Sequence, residues 1–138
     1  MNNVTFEMAQ RALAAALAKA EEIGSASSVA IVDSGRELVA FGRMDNALLV
    51  SAEISQAKAY TARSLNSATK DLGEWVQPGG PLFGLETALV SAGRALVTFG
   101  GGVPITVGGL VIGAIGVAGG SPDQDHEIAS AGANVLGG

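Results

Sequence analysis

Cysteine is absent from this 138-residue chain. That removes disulfides, thiolate nucleophiles, cysteine-ligated zinc and iron–sulfur clusters together. Histidine occurs once, so histidine-rich metal sites are excluded as well and no metal centre is expected. Charged residues make up 15% of the chain, against about 25% in ordinary globular proteins. Only eight are Lys or Arg, and the net charge is -5 with a pI of 4.7. A nucleic-acid backbone would find little here to neutralise it, so nucleic acid is not an expected partner. Aromatic residues, at 4%, are too few for a stacking platform. An unbroken apolar span is missing too. The uncharged stretch 95–122 is studded with glycine and interrupted by Pro104, a pattern of strands rather than of a membrane helix. The first 24 residues lack a basic leader region and carry Glu7, Arg11, Lys19 and Glu21, which reads as a cytoplasmic protein rather than a secretory signal.

What is present points to one folded domain over residues 1–138. Hydrophobic residues reach 48% and mean hydropathy is +0.37, the reverse of a disordered composition. The same hydropathy in so small a domain implies that other subunits cover part of the surface, so a homo-oligomer is expected. Glycine, 20 residues, is about twice its usual share of roughly 7%. Within 4–23, Phe6, Ala9, Leu13, Ala16, Leu17, Ala20 and Ile23 recur at helical steps, with Thr5 as N-cap and Gly24 as stop. Segments 27–33 and 37–43 are β-rich and joined by Ser34-Gly35-Arg36, where Gly35 is placed to supply a positive φ. Helical spacing then returns, with Ile54, Ala57, Thr61, Leu65 and Ala68 on one stripe and Gly73 ending a second short helix. Residues 77–84 read as loop, and 85–94 are open between a short helix and irregular chain. Segments 96–99, 103–107 and 110–117 read as strands, the last two joined by Gly108-Gly109. Ser121-Pro122-Asp123-Gln124 is a capping-box start for a helix through Val135. The sum is an α+β domain with a five-stranded, largely antiparallel sheet and packed helices.

Lys58 is the strongest chemical signal, because it falls on the inward stripe of the second helix. A buried ammonium needs a partner. Its spacing leaves open an ion pair with Asp33 or Asp45, a snorkelling position, an anion anchor, or a desolvated general base. Arg43, at a strand end beside Asp45, is suited to bidentate carboxylate capture or to stiffening the crossover. Gly100-Gly101-Gly102 offers backbone N–H groups to an anion or simply turns the chain. The glycines of 113–120 match no nucleotide fingerprint. His126, amid Asp123, Asp125 and Glu127, reads as solvated or carboxylate-paired, with haem or metal ligation as the sharper alternative.

These residues, in order, resemble the GlcG/HbpS-like family, also called DUF336: VAIVDSGRELVAFGRMDNA, SAEISQAKAYTA, GGGVPI, VIGAIGVAGG and DQDHEIASAGA. The resemblance runs through Asp33, Gly35, Arg43, Asp45, Lys58, Gly101, Gly102, Pro104, Gly113, Gly116, Gly120 and Asp125. It implies a profilin-like fold, homo-oligomers up to octamers, and haem binding or degradation in some members, while others accompany small-molecule catabolism. Two functions are carried forward. The first is a small-ligand-binding protein for haem or a related tetrapyrrole, with Arg43 and Lys58 on the propionates, apolar side chains near the ligand-binding Phe83 covering the ring, and Gly101 and Gly102 at the ligand. The second is a small catabolic enzyme in which Arg43 orients a carboxylate substrate. There Lys58, with Asp33 or Asp45, moves a proton in an isomerisation, hydration or hydrolysis.

Overall fold

The computed structural model describes residues 2–137. Helix α1 (Phe6–Ile23) begins where the Thr5 hydroxyl accepts the Met8 N–H at 3.1 Å, and ends at Gly24 in the left-handed region, φ 82°. Both caps satisfy backbone groups that a helix end otherwise leaves orphaned. Its buried stripe is Ala9, Ala12, Ala16 and Ala20, whereas Phe6 is 61% exposed. The alanines let α1 lie close against α3 (Pro122–Gly137). Helix α3 opens with a reciprocal capping box, in which the Gln124 N–H donates to Ser121 Oγ and the Ser121 N–H donates to Gln124 Oε1.

Strands β1 (Ser28–Asp33), β2 (Leu38–Arg43), β3 (Gly102–Val107) and β4 (Leu110–Ala118) form one antiparallel sheet in the order β2-β1-β4-β3. Helices α1 and α3 cover one face and α2 (Ser51–Leu65) the other. The alternation of strand side chains divides the core accordingly. Val29, Ile31, Ile105, Ile115 and Val117 meet the alanines of α1 and Ile128 of α3, while Val32 and Ala114 meet Ala59 and Ala62 of α2. Pro104 sits on edge strand β3, where a missing N–H costs least.

The sheet has four strands, not five. Segment 96–99 is not a strand, and two of its backbone groups bind side chains instead of a neighbouring strand. The Val97 N–H donates to Thr61 Oγ1 at 3.0 Å, and the Phe99 carbonyl accepts from Thr69 Oγ1 at 2.7 Å. A β-rich tetrapeptide is thereby strapped to α2 and to the turn that follows it. Residues 69–72, 74–76, 85–87 and 90–92 are single 3₁₀ turns. In the β1–β2 turn the left-handed residue is Arg36, φ 70°, rather than Gly35. Asp33 Oδ1 accepts the N–H groups of Gly35 and Glu37 and fixes that geometry. Among the described residues, no helix is long and apolar enough to cross a membrane.

The stripe that α2 buries also differs from the one its larger apolar residues suggest. Ser51, Ser55, Lys58, Ala59, Thr61 and Ala62 are buried; Ile54, Ala57 and Leu65 are half-buried. Gly116 explains the difference, since a Cβ there would overlap the Ser55 carbonyl oxygen and the Ala59 nitrogen. The helix backbone rests directly on the strand, and only small side chains fit between them. Ser28 and Ser51 close the layer with a hydroxyl–hydroxyl bond of 2.8 Å.

Candidate functional site

Lys58 is the largest fully buried side chain, with 1% of its surface exposed. Its Nζ donates to the Val117 carbonyl at 2.9 Å and to Asp125 Oδ2 at 3.0 Å, and lies 5.0 Å from the centroid of the Phe99 ring. The second carboxylate oxygen, Asp125 Oδ1, accepts the Gly120 N–H at 3.0 Å. The pair therefore joins α2, the end of β4 and the first turn of α3, three elements that have no other common ionic contact among the described residues. Gly101, φ +134°, packs on the lysine, where a Cβ would come within 2.6 Å of Nζ. The glycine run is thus the lid over the ammonium. Thr69 fixes the lid by accepting the Gly102 N–H at 2.9 Å while donating to the Phe99 carbonyl.

Burial pushes the Lys58 ammonium below the ordinary lysine value of 10.5, and the charge and hydrogen bond of Asp125 oppose that shift. Above this pair opens a pocket of about 130 Å³ lined by Leu48, Val50, Ile54, Phe99, Gly119 and Gly120 together with both charged groups. A desolvated amine paired to a carboxylate beneath an apolar mouth has the makings of a proton-transfer or ligand-anchoring centre.

The other residues singled out from sequence lie elsewhere. Asp33 caps the hairpin turn and is not the partner of Lys58. Asp45 is exposed and lines, with Arg43, Met44, Ala20, Gly24 and Ala26, a shallow groove of about 540 Å³ beside the end of α1. Phe83 is 66% exposed on the 81–88 loop, in a third depression. Only Gly101 and Gly102 join Lys58. Sequence reasoning missed Asp125 as the partner, 67 residues away, and also Thr69. Two signals were available: the family resemblance, which includes Asp125 without giving it a role, and an acidic first turn in α3, which the helix dipole explains equally well.

His126, the next residue on α3, is half-buried. Its Nε2 lies 3.4 Å from Ser130 Oγ, and Nδ1 is buried with no hydrogen-bond partner among the described residues. Burial is the main cause that lowers its pKa from 6.5, and Lys70 adds to the effect, against opposition from Asp71 and Asp123. Between the lowered folded value and 6.5 the unfolded chain holds more protons, so stability declines as pH falls through that window. His126→Gln is expected to flatten this part of the stability–pH curve, measured by urea denaturation at successive pH values. An unchanged slope would assign it to other groups.

A four-stranded α+β domain with a buried Lys–Asp pair at the floor of a small, apolar-rimmed pocket is the class of structure that fold and site define. The chain belongs to the HbpS-like family: the family model described as haem degrading protein HbpS-like matches residues 4–134. It is 40% identical over 126 residues to an uncharacterised 15.0 kDa protein of Citrobacter freundii, covering 91% of this chain and 87% of that one. Over 116 residues it is 44% identical to the corrinoid adenosyltransferase PduO of Salmonella typhimurium, covering 83% of this chain but only 33% of PduO. The chain thus spans about a third of that relative. Among solved structures, a PduOC:haem complex superposes with a TM-score of 0.90 at 36% identity, covering 97% of this chain and 95% of the other.

Proposed function

We propose that the chain is a cytoplasmic, homo-oligomeric binding protein for haem or a related planar, anionic tetrapyrrole. The observation that carries this reading is the 36%-identical PduOC structure, which is a haem complex. The residues present fit such a group in kind: an apolar rim of Leu48, Val50, Ile54 and Phe99, with a lysine at its floor. They fit it by position only if the ring lies across the rim. A pocket of about 130 Å³ is well below the roughly 300 Å³ at which pockets for drug-sized ligands begin. Arg43, Lys58 and Phe83 line three separate depressions, so no one of these pockets brings all three to a ligand. Lys58 and Asp125 already neutralise one another, which leaves Arg43 as the freer propionate anchor if the ring lies in the wider groove. When bound, haem brings an iron centre with an intense Soret band.

Titration of purified protein with haemin is expected to give a saturable Soret shift near one equivalent per chain. Leu48→Glu, at a 64%-exposed rim residue, is expected to weaken binding across the Lys58 rim, and Arg43→Ala to do so in the groove. His126→Ala in the same titration reads axial ligation. A featureless titration of the parent protein would remove the proposal.

A second reading rests on the depressed, buried Lys58. In it the 130 Å³ pocket takes a small carboxylate catabolite and Lys58 accepts a proton, with Asp125 in the supporting place first sought in Asp33 and Asp45. Lys58→Met abolishing turnover of a screened substrate, with the fold retained, would favour it over haem.

Self-association is supported by the exposed apolar residues Leu48, Leu49, Val50, Phe83 and Val90. Light scattering after size exclusion is expected to return a multiple of 13.7 kDa, an octamer among the expected sizes. A species of 13.7 kDa alone would overturn the oligomer.

A further inference from the structure

On the face of α2 turned away from Lys58, two arginines share one aromatic ring. The Arg36 guanidinium lies 4.7 Å and the Arg94 guanidinium 5.1 Å from the centroid of Tyr60. Arg36 donates to Tyr60 Oη at 3.0 Å and to Ser64 Oγ at 3.2 Å. Among the described residues no carboxylate approaches either guanidinium within 4.0 Å. Two like charges gathered on one ring with no carboxylate in contact repel one another, and an anion between them relieves that repulsion. The ring and both cations line a depression of about 330 Å³, bounded also by Val32, Leu38 and Ala57. That volume lies within the range of small-ligand sites.

The backbone is committed to the same arrangement. Arg36 is held in the left-handed region, φ 70°, at a turn position where glycine or asparagine is less costly. Arg94 follows Gly93, φ 75°, in a turn closed by its own N–H to the Leu89 carbonyl. Glu37 also lines the depression and offsets one of the two positive charges.

We propose that this depression is a second ligand site, distinct from the Lys58 pocket, for a small organic carboxylate. The guanidiniums grip the carboxylate edge-on, and a short apolar body rests on Val32, Leu38 and Ala57. Guanidinium geometry matches a planar carboxylate through paired N–H donors, and the apolar wall disfavours a bare inorganic ion.

The test is titration of the full chain with succinate at about 10 mM ionic strength, where charges are screened only beyond about 30 Å. Arginine Nε–H and backbone amide NMR signals of residues 35–37 and 93–95 report binding, with sodium chloride at matched ionic strength as the blank. Saturable shifts at both segments are expected. Arg94→Lys is expected to weaken binding about tenfold, because an ammonium cannot offer the paired donors. Arg36→Gly is expected to weaken it as much without lowering the Tm, since glycine suits that φ. Glu37→Gln is expected to tighten it about threefold by removing the opposing charge. Shifts no larger than the chloride blank, or affinity unchanged in both arginine variants, would overturn the site. Inorganic phosphate displacing succinate at lower concentration would overturn the carboxylate assignment. Haemin binding unaltered by Arg94→Lys is expected, so that failure here and failure of the tetrapyrrole reading remain separate.

Discussion

Asp125→Ala is expected to remove about 3–5 kcal/mol of folding stability, the usual consequence of stripping one partner from a buried ion pair. The loss comes less from the missing attraction than from what stays behind. Lys58, 1% exposed in the parent chain, would stay beneath the Gly101 lid beside the Val117 carbonyl and Phe99 with no carboxylate to answer its charge, and the Gly120 N–H would lose its acceptor. The ammonium would then shed its proton more readily. Its folded pKa, already below 10.5, would fall further, while the unfolded chain keeps the ordinary value. Between those two values the unfolded state binds more protons, so the stability of Asp125→Ala is expected to recover as pH rises through that window, more steeply than in the parent chain. The double change Lys58→Met with Asp125→Leu is expected to regain most of the lost stability, because a well-packed apolar pair avoids both desolvation costs. Urea denaturation across pH reads all three proteins. A single variant within about 1 kcal/mol of the parent would show that the pair is hydrated and the lid open.

Gly116→Ala is expected to cost about 3 kcal/mol, at the upper end of overpacking. The added methyl group would overlap the Ser55 carbonyl and the Ala59 nitrogen, which are main-chain atoms of α2 and cannot rotate away as a side chain could. Relief requires the whole helix to lift from β4, opening the layer formed by Ala59, Ala62 and Ala114 and loosening Lys58 with it. Gly84→Ala is the matched comparison. That glycine has φ +90° but nothing within 4 Å of a Cβ, so only backbone strain of about 1–2 kcal/mol applies. Equal losses for the two variants, measured by thermal unfolding, would mean that α2 has room to move at Gly116.

Much of the local architecture was legible in the residues themselves. Thr5, Gly24 and the Ser121–Gln124 box announce helix ends through groups that act on backbone no more than a few positions away. The hairpins at 34–36 and 108–109 are equally local, although Arg36 rather than Gly35 takes the left-handed conformation. Segment 96–99 misled for a related reason: its composition is that of a strand, and only distant hydroxyls, Thr61 and Thr69, divert its backbone from the sheet.

At the site, helical periodicity alone determined that Lys58 faces inward, because the spacing of a side chain around a helix is intrinsic to the sequence. Its partner was not determined in that way. Asp125, Thr69 and Gly101 reach Lys58 through the packing of α2, α3 and the glycine lid around β4, and separations of 67 residues leave no mark in local spacing. The same holds for Arg43, Asp45 and Phe83, which look like neighbours of Lys58 by chemistry and are assigned to other surfaces by the fold. Caps, turns and amphipathic faces depend on short-range sterics and hydrogen bonds, so this sequence determined them by itself. Which charge answers which, and which small residues must stay small, depends on how close the layers come, and only the tertiary structure decided that.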